Sequence, residues 1–268
     1  MEENDPISPI QPSLGKKKRK PRVNPVQVFL AYTVGLLMVL AGVYMFTLSP
    51  VGPLPAALPY LQSDDQVQVT SGRYLFFQPM HSTAKTGLIF YPGGRVDYRS
   101  YAPMVHQLAE KGWSAAIVPM PLNLAVLGSD RADWVINDHP EIPQWVIAGH
   151  SLGGSMAAGY LVKNPTHIRG IAFLAAYPGG NELVNSTIPV LSIFGSEDGL
   201  ITSDEWETRK PRFPATTQWL RIDGGNHAGF GWYGEQEGDR PAQISLEDQT
   251  AQIVQGLDRF LTIVENKN

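Results

Sequence analysis

Along the chain, short unbroken apolar runs alternate with stretches whose apolar positions recur every three or four residues, and turn-forming Gly, Pro, Asn and Asp fall between them. Unbroken runs of this length read as strands buried on both faces, and the three-to-four recurrence reads as amphipathic helix. Residues 66–70 and 73–78 form a leading antiparallel pair, and GLIFY, 87–91, is a buried strand. A helix follows over 98–111, closed by Gly112, since glycine readily adopts the left-handed turn after a helix. Strand 114–118, a turn-rich loop MPLNLAVLG, a helix near 130–137, strand 145–148 and a helix over 152–163 come next. Strands 170–175, 190–194 and 217–222 precede a final helix over 246–264, which Ser245 caps with Asp248 three residues on. Strands alternating with helices imply a parallel sheet covered on both faces. The fold class is α/β, doubly wound.

One segment breaks this rhythm. VFLAYTVGLLMVLAGVYMFTL, 28–48, has 21 residues without a charge, and about 20 apolar residues cross a bilayer core. It follows GKKKRKPR, residues 15–22. Positive charge before a span keeps that side cytoplasmic, so the remainder is expected outside. A cleaved signal peptide would have a shorter apolar region and a small-x-small site, and SPVGPLPAALPY offers none well placed. A nuclear-localisation reading of KKKRK is the lesser alternative, because the cluster abuts a membrane-length segment. The expected division is a basic cytoplasmic tail, 1–27; a transmembrane signal anchor, 28–48; a Pro-rich linker, 49–59; and a globular domain, 60–268.

Charge and composition narrow the function. Residues 1–27 hold six Lys/Arg and three Asp/Glu, leaving 15 against 22, a net of −7, for the rest. An acidic domain disfavours nucleic acid as a partner. With no cysteine, disulfides, thiolate metal sites and a cysteine nucleophile are excluded.

VIAGHSLGGSMAAGY, 146–160, places Ser151 in G-x-S-x-G between a strand and a helix, the setting of a nucleophile elbow. The sharp turn exposes the hydroxyl, and the flanking glycines remove side chains that would collide. The helix N-terminus then aims backbone N–H groups at the serine, so Leu152 supplies one oxyanion donor. The second comes from YPGGR, 91–95, with Gly94 the candidate and Gly93 its neighbour. A serine needs a base and an orienting acid, in the chain order Ser, Asp/Glu, His. Of the later histidines, His167 lies in a turn after the helix and reads as surface. His227, in the Gly-rich loop after the last strand, is the base. Asp198 in VLSIFGSEDGL is the acid, with Glu197 in reserve. Asp223 sits too near His227 along the chain and reads as a turn residue, and His150 reads as packing. The spacings of 47 and 29 residues fit the intervening elements.

At these residues the chain resembles the α/β-hydrolase superfamily over about 60–265, and within it the compact bacterial dienelactone-hydrolase-like group. The shared elements are FYPGGRVDYRSYAPM, VPMPLNLAVLG, GHSLGG, FGSEDGL and GGNHAGFGWYGEQEGD. The resemblance implies a Ser151–Asp198–His227 triad and oxyanion donors from Gly94 and Leu152; the triad chemistry itself requires no metal or organic cofactor. Two departures limit it: dienelactone hydrolase itself uses cysteine, and the oxyanion loop reads Tyr-Pro-Gly-Gly where many esterases have His-Gly-Gly. The 14 or so residues between strands 170–175 and 190–194 leave no room for a helical lid. Loops 121–128 and 228–239 are the candidate roof, the latter with Phe230, Trp232 and Tyr233, for which ordinary packing of a long loop is the alternative reading. Arg95 reads as a solvated side chain beside a glycine turn. The expected activity is hydrolysis of an ester-like acyl bond in a small or lipid-like substrate. Acyl transfer, amide hydrolysis and a non-catalytic cell-surface binding domain are the alternatives.

Overall fold

The structure, a computed structural model, describes residues 24–47 and 49–267. The basic cluster 15–22 lies outside them. Two compact units divide at Thr47. In the first, helix α1 (Pro25–Thr47) is apolar around its whole circumference, and residues 25–42 are long and apolar enough to cross a membrane.

The second unit is built on one eight-stranded sheet. Its strands are β1 (Val67–Ser71), β2 (Leu75–Pro79), β3 (Thr86–Tyr91), β4 (Ala115–Ile117), β5 (Gln144–His150), β6 (Ile168–Leu174), β7 (Val190–Gly195) and β8 (Gln218–Ile222). They lie in the order β1-β2-β4-β3-β5-β6-β7-β8. β1 and β2 pair antiparallel, β2 runs antiparallel to β4, and every other pairing is parallel. Helices α2 (Ala102–Glu110), α3 (Ala132–Asp138), α4 (Leu152–Lys163), α5 (Ser203–Arg209) and α6 (Leu246–Asn266) complete the unit.

The unbroken apolar runs have a simple cause. Successive side chains of a strand point to opposite faces, and here both faces are covered. In β3, Leu88 and Phe90 join one core with α2 and α6, while Ile89 and Tyr91 join the other with α3 and α4. β5 divides likewise into Val146 and Ala148 against Trp145 and Ile147. α6 is only half apolar, and its buried Ile253, Val254, Leu257, Phe260, Leu261 and Val264 fall on one stripe. Ser245 caps it by accepting the Asp248 N–H, which satisfies one of the helix's unpaired donors.

The elements depart from expectation in three places. The helix at 98–111 is a 3-10 turn, Tyr98–Tyr101, followed by α2, because Pro103 starts a new first turn. α5 has no counterpart in the sequence reading: SDEWETR carries a single apolar side chain, Trp206, and a single buried residue generates no periodicity. The Pro-rich stretch, expected as a linker, carries structure of its own. Pro55–Leu61 forms a 3-10 helix with Ala57 fully buried, and Val51 bridges Val96 in parallel.

Candidate active site

In a parallel sheet all the strands end on one rim. The register sets Tyr91 of β3 beside Gly149 of β5, Leu174 of β6 beside Ile193 of β7, and Gly195 beside Ile222 of β8. The segments leaving these ends are YPGGR, the elbow, GSEDG and GGNHA. The topology thereby gathers Gly94, Ser151, Asp198 and His227, which span more than 130 residues of chain.

The elbow is strained. Ser151 has φ 50° and ψ −122°, a conformation costly for a residue with a Cβ and stable only where its surroundings impose it. The surroundings are visible. Ser151 N–H donates to Leu174 O at 3.0 Å, and Gly154 N–H returns to Ser151 O at 3.1 Å. A Cβ at Gly149 would lie 2.5 Å from Gly153 C and Gly154 N, and one at Gly153 would overlap the Tyr91 and Pro92 carbonyls. Only glycine permits this packing of β5, α4 and the Tyr91 loop.

Asp198 and His227 are each 1% exposed. His227 Nδ1 lies 2.9 Å from Asp198 Oδ2. Asp198 Oδ1 accepts the N–H groups of Leu200 and Ile201 at 2.8 and 2.7 Å, so both carboxylate oxygens are engaged. His227 Nε2 is buried with no hydrogen-bond partner among the described residues, and Ser151 Oγ does not bond it in this structure. Glu197 turns elsewhere, accepting from its neighbour Ser196. His167 is exposed, and Asp223 is an exposed turn residue ion-paired with Arg221.

Two residues that the sequence reading passed over hold the acid and histidine loops together. Asp239 accepts from Gly199 N–H at 2.8 Å and from Ala228 N–H at 2.7 Å, so one carboxylate ties both loops. Arg240 donates to the carbonyls of Ser196 and Asp198 at 2.8 and 3.0 Å. Nothing in the local sequence marked them, since a charged pair in a polar loop reads as solvated surface.

His150 does more than pack. It is 1% exposed, and its Nδ1 lies 2.8 Å from the Tyr101 hydroxyl. That hydroxyl also accepts the Gly93 N–H at 3.0 Å. Burial holds Tyr101 well above the ordinary tyrosine range, so it keeps its proton and donates it to Nδ1, leaving the His150 proton on Nε2. Burial, and then the neighbouring His227 ring at 4.7 Å, hold His150 well below its usual value of 6.5 and therefore neutral. The same bond distinguishes the two glycines: the Gly93 N–H is committed to Tyr101, while Gly94 and Leu152 present amides with no partner among the described residues.

Phe230, Trp232 and Tyr233 are 1–5% exposed and pack into the unit, with Trp232 Nε1 bonded to Thr250. Residues 175–189 carry no helix. A cavity of about 340 Å³ adjoins the loop 91–95, lined by Val51, Gly94, Arg95, Tyr233, Glu235 and Glu237. A larger one, about 700 Å³, lies between α2 and α6 and touches none of Ser151, Asp198 or His227. The cluster with metal-ligand chemistry, Asp64, His106 and Glu110, is separate from these three. Its imidazole nitrogens already face the carboxylates, at 3.4 Å from Asp64 and 3.2 Å from Glu110.

Residues 87–251 match the model of the alpha/beta hydrolase family, and the chain belongs to that family. Solved structures with this fold include dienelactone hydrolase from Anabaena variabilis, at 15% identity and TM-score 0.54, covering 72% of this chain and 98% of that one. The esterase domain of a Rhodothermus marinus protein matches at 12% identity and TM-score 0.54, covering 73% and 97%. TT1662 from Thermus thermophilus matches at 14% and 0.53, covering 73% and 98%. Among curated protein sequences none matches this chain.

Proposed function

We propose that this chain is a membrane-anchored serine hydrolase that cleaves ester-like acyl bonds through an acyl-enzyme on Ser151. The observation that carries the reading is the buried Asp198–His227 pair, which leaves His227 Nε2 unpaired on the rim where the strained Ser151 lies. Catalytic hydrogen bonds that are loose without substrate commonly tighten when it binds.

In this mechanism His227 Nε2 takes the Ser151 proton as Oγ attacks the carbonyl carbon. Asp198 fixes the Nδ1–H tautomer and balances the imidazolium charge. Gly94 and Leu152 N–H groups receive the oxyanion, each worth on the order of 3–4 kcal/mol in the barrier. The carbon–oxygen bond to the leaving alcohol breaks as that oxygen takes the Nε2 proton. A water, deprotonated by the same nitrogen, then attacks the acyl carbon, and the acid leaves as Oγ recovers its proton. These steps need no group beyond the chain and water.

Helix α1, preceded by the basic stretch 15–22, supports a signal anchor with a cytoplasmic tail and an extracytoplasmic domain. The deciding experiment is fluorophosphonate labelling. The chain should take the probe and Ser151→Ala should not, while absence of labelling in the unaltered protein refutes the hydrolase. On intact cells, added protease should digest the domain, and full protection would reverse the orientation.

A further inference from the structure

Where the tether meets the domain bears on where substrate comes from. Residues 48–50 alone separate Thr47, the last residue of α1, from Val51. Val51 is fixed on the oxyanion loop: its N–H donates to Arg95 O at 2.7 Å and its carbonyl accepts the Asp97 N–H at 3.0 Å. Four extended steps of chain span at most about 14 Å. That limit comes from covalent geometry alone.

The same rim carries exposed apolar side chains. Leu122, Val126 and Leu127 are 46%, 57% and 53% exposed. Their loop is built onto the oxyanion segment, with Arg95 N–H donating to Asn123 O at 2.8 Å. Leu124 and Leu152 flank Gly94. Leu122 and Asn123 both have positive φ, 50° and 55°, in a tight turn held by the Asn123 N–H on Met120 O and the Leu124 N–H on Pro121 O, which presents Leu122 outward. Leucine and valine displayed on a tight loop are what a lipid interface accepts. Glu235 and Glu237 stand near Arg95 on the same side, so a zwitterionic surface fits better than an anionic one.

We propose that loop 121–127 docks on the surface of the bilayer that holds α1, so that the rim faces the membrane and takes acyl substrates from amphiphiles lodged there. This rests on the anchored-hydrolase reading above.

Because the chain has no cysteine, single probes can be placed cleanly. Val126→Cys and Leu127→Cys, with Met80→Cys as reference, would carry an environment-sensitive fluorophore on the full-length protein in phosphatidylcholine vesicles. Met80 is 52% exposed and follows β2, which runs away from the catalytic rim. Quenching by doxyl-labelled phosphatidylcholine should be several-fold stronger at 126 and 127 than at 80. Equal quenching at all three, in protein that floats with the vesicles, overturns the docking, as does probe contact between copies without lipid quenching. Protein that does not float sinks the anchor and the docking together. Loss of fluorophosphonate labelling sinks only the hydrolase, and the quenching still decides the docking. The paired change Val126→Ser with Leu127→Ser should lower turnover of a vesicle-borne ester about tenfold relative to a soluble acetate ester. An unchanged ratio counts against the proposal.

Discussion

His227 Nδ1 stands 2.9 Å from Asp198 Oδ2, while the other oxygen of that carboxylate holds two backbone N–H groups. The aspartate cannot rotate away without abandoning Leu200 and Ile201, so the imidazole is oriented by a group that is itself fixed. Asp198→Asn, with its amide nitrogen toward Nδ1, would impose the wrong tautomer. Steady-state kinetics should show kcat reduced about 10⁴-fold with little change in KM. A loss of less than tenfold would remove Asp198 from the mechanism.

Asp239 bridges the acid loop and the histidine loop. Asp239→Ala unpairs the Gly199 and Ala228 N–H groups and should cost about 1–3 kcal/mol in urea unfolding. Its kcat should fall further than that of an equally destabilised variant distant from the rim, such as one in β1.

Tyr101 joins Gly93 to His150. Tyr101→Phe keeps the ring and removes the hydroxyl, leaving a buried donor and a buried acceptor unpaired, for a loss of about 1–3 kcal/mol in stability. With the Gly93 N–H released, the Gly94 amide is no longer held, and kcat should drop while KM stays nearly constant. An unchanged kcat would show that the loop holds its shape without Tyr101.

His150 makes stability depend on pH. Its folded value lies below the usual 6.5, so the unfolded chain takes up a proton first as pH falls. The stability is fully present above about 6.5 and is lost as pH drops toward the folded value, by up to about 1.4 kcal/mol per pH unit. His150→Asn, which keeps an acceptor near the Tyr101 hydroxyl, should show a shallower fall between pH 6.5 and 5 in denaturant titrations. Parallel curves would assign the acid sensitivity to other groups.

Two glycines of α4 should behave oppositely. Gly159 has nothing within 4 Å of a built Cβ, so Gly159→Ala should stabilise by about 1 kcal/mol through helix propensity. Gly153 meets the Tyr91 and Pro92 carbonyls. Gly153→Ala should leave little soluble folded protein, because backbone, unlike a side-chain tip, has nowhere to retreat. Thermal melts of the pair decide it.

The local pattern was enough for much of this. GLIFY and VIAGH announced doubly covered strands because both faces of a parallel sheet are apolar, and Leu152–Lys163 was readable to the residue. GHSLGG announced the elbow because a strained turn between strand and helix demands glycine on both sides. Chain order then singled out Asp198 and His227, since each strand end in this topology delivers its loop to one rim. Other features are tertiary by nature. α5 hangs on the single buried Trp206. His150, Tyr101, Asp239 and Arg240 are polar residues whose partners lie 8 to 49 positions away. The Pro-rich stretch read only as a linker because backbone hydrogen bonds, such as those between Val51 and the Arg95–Asp97 segment, leave no trace in side-chain chemistry. Sequence determines which side chains can do chemistry and which stretches must be buried. Which of the remaining polar groups meet, and which amide is left over at Gly94, is decided only when the folded backbone brings distant donors and acceptors within 3 Å.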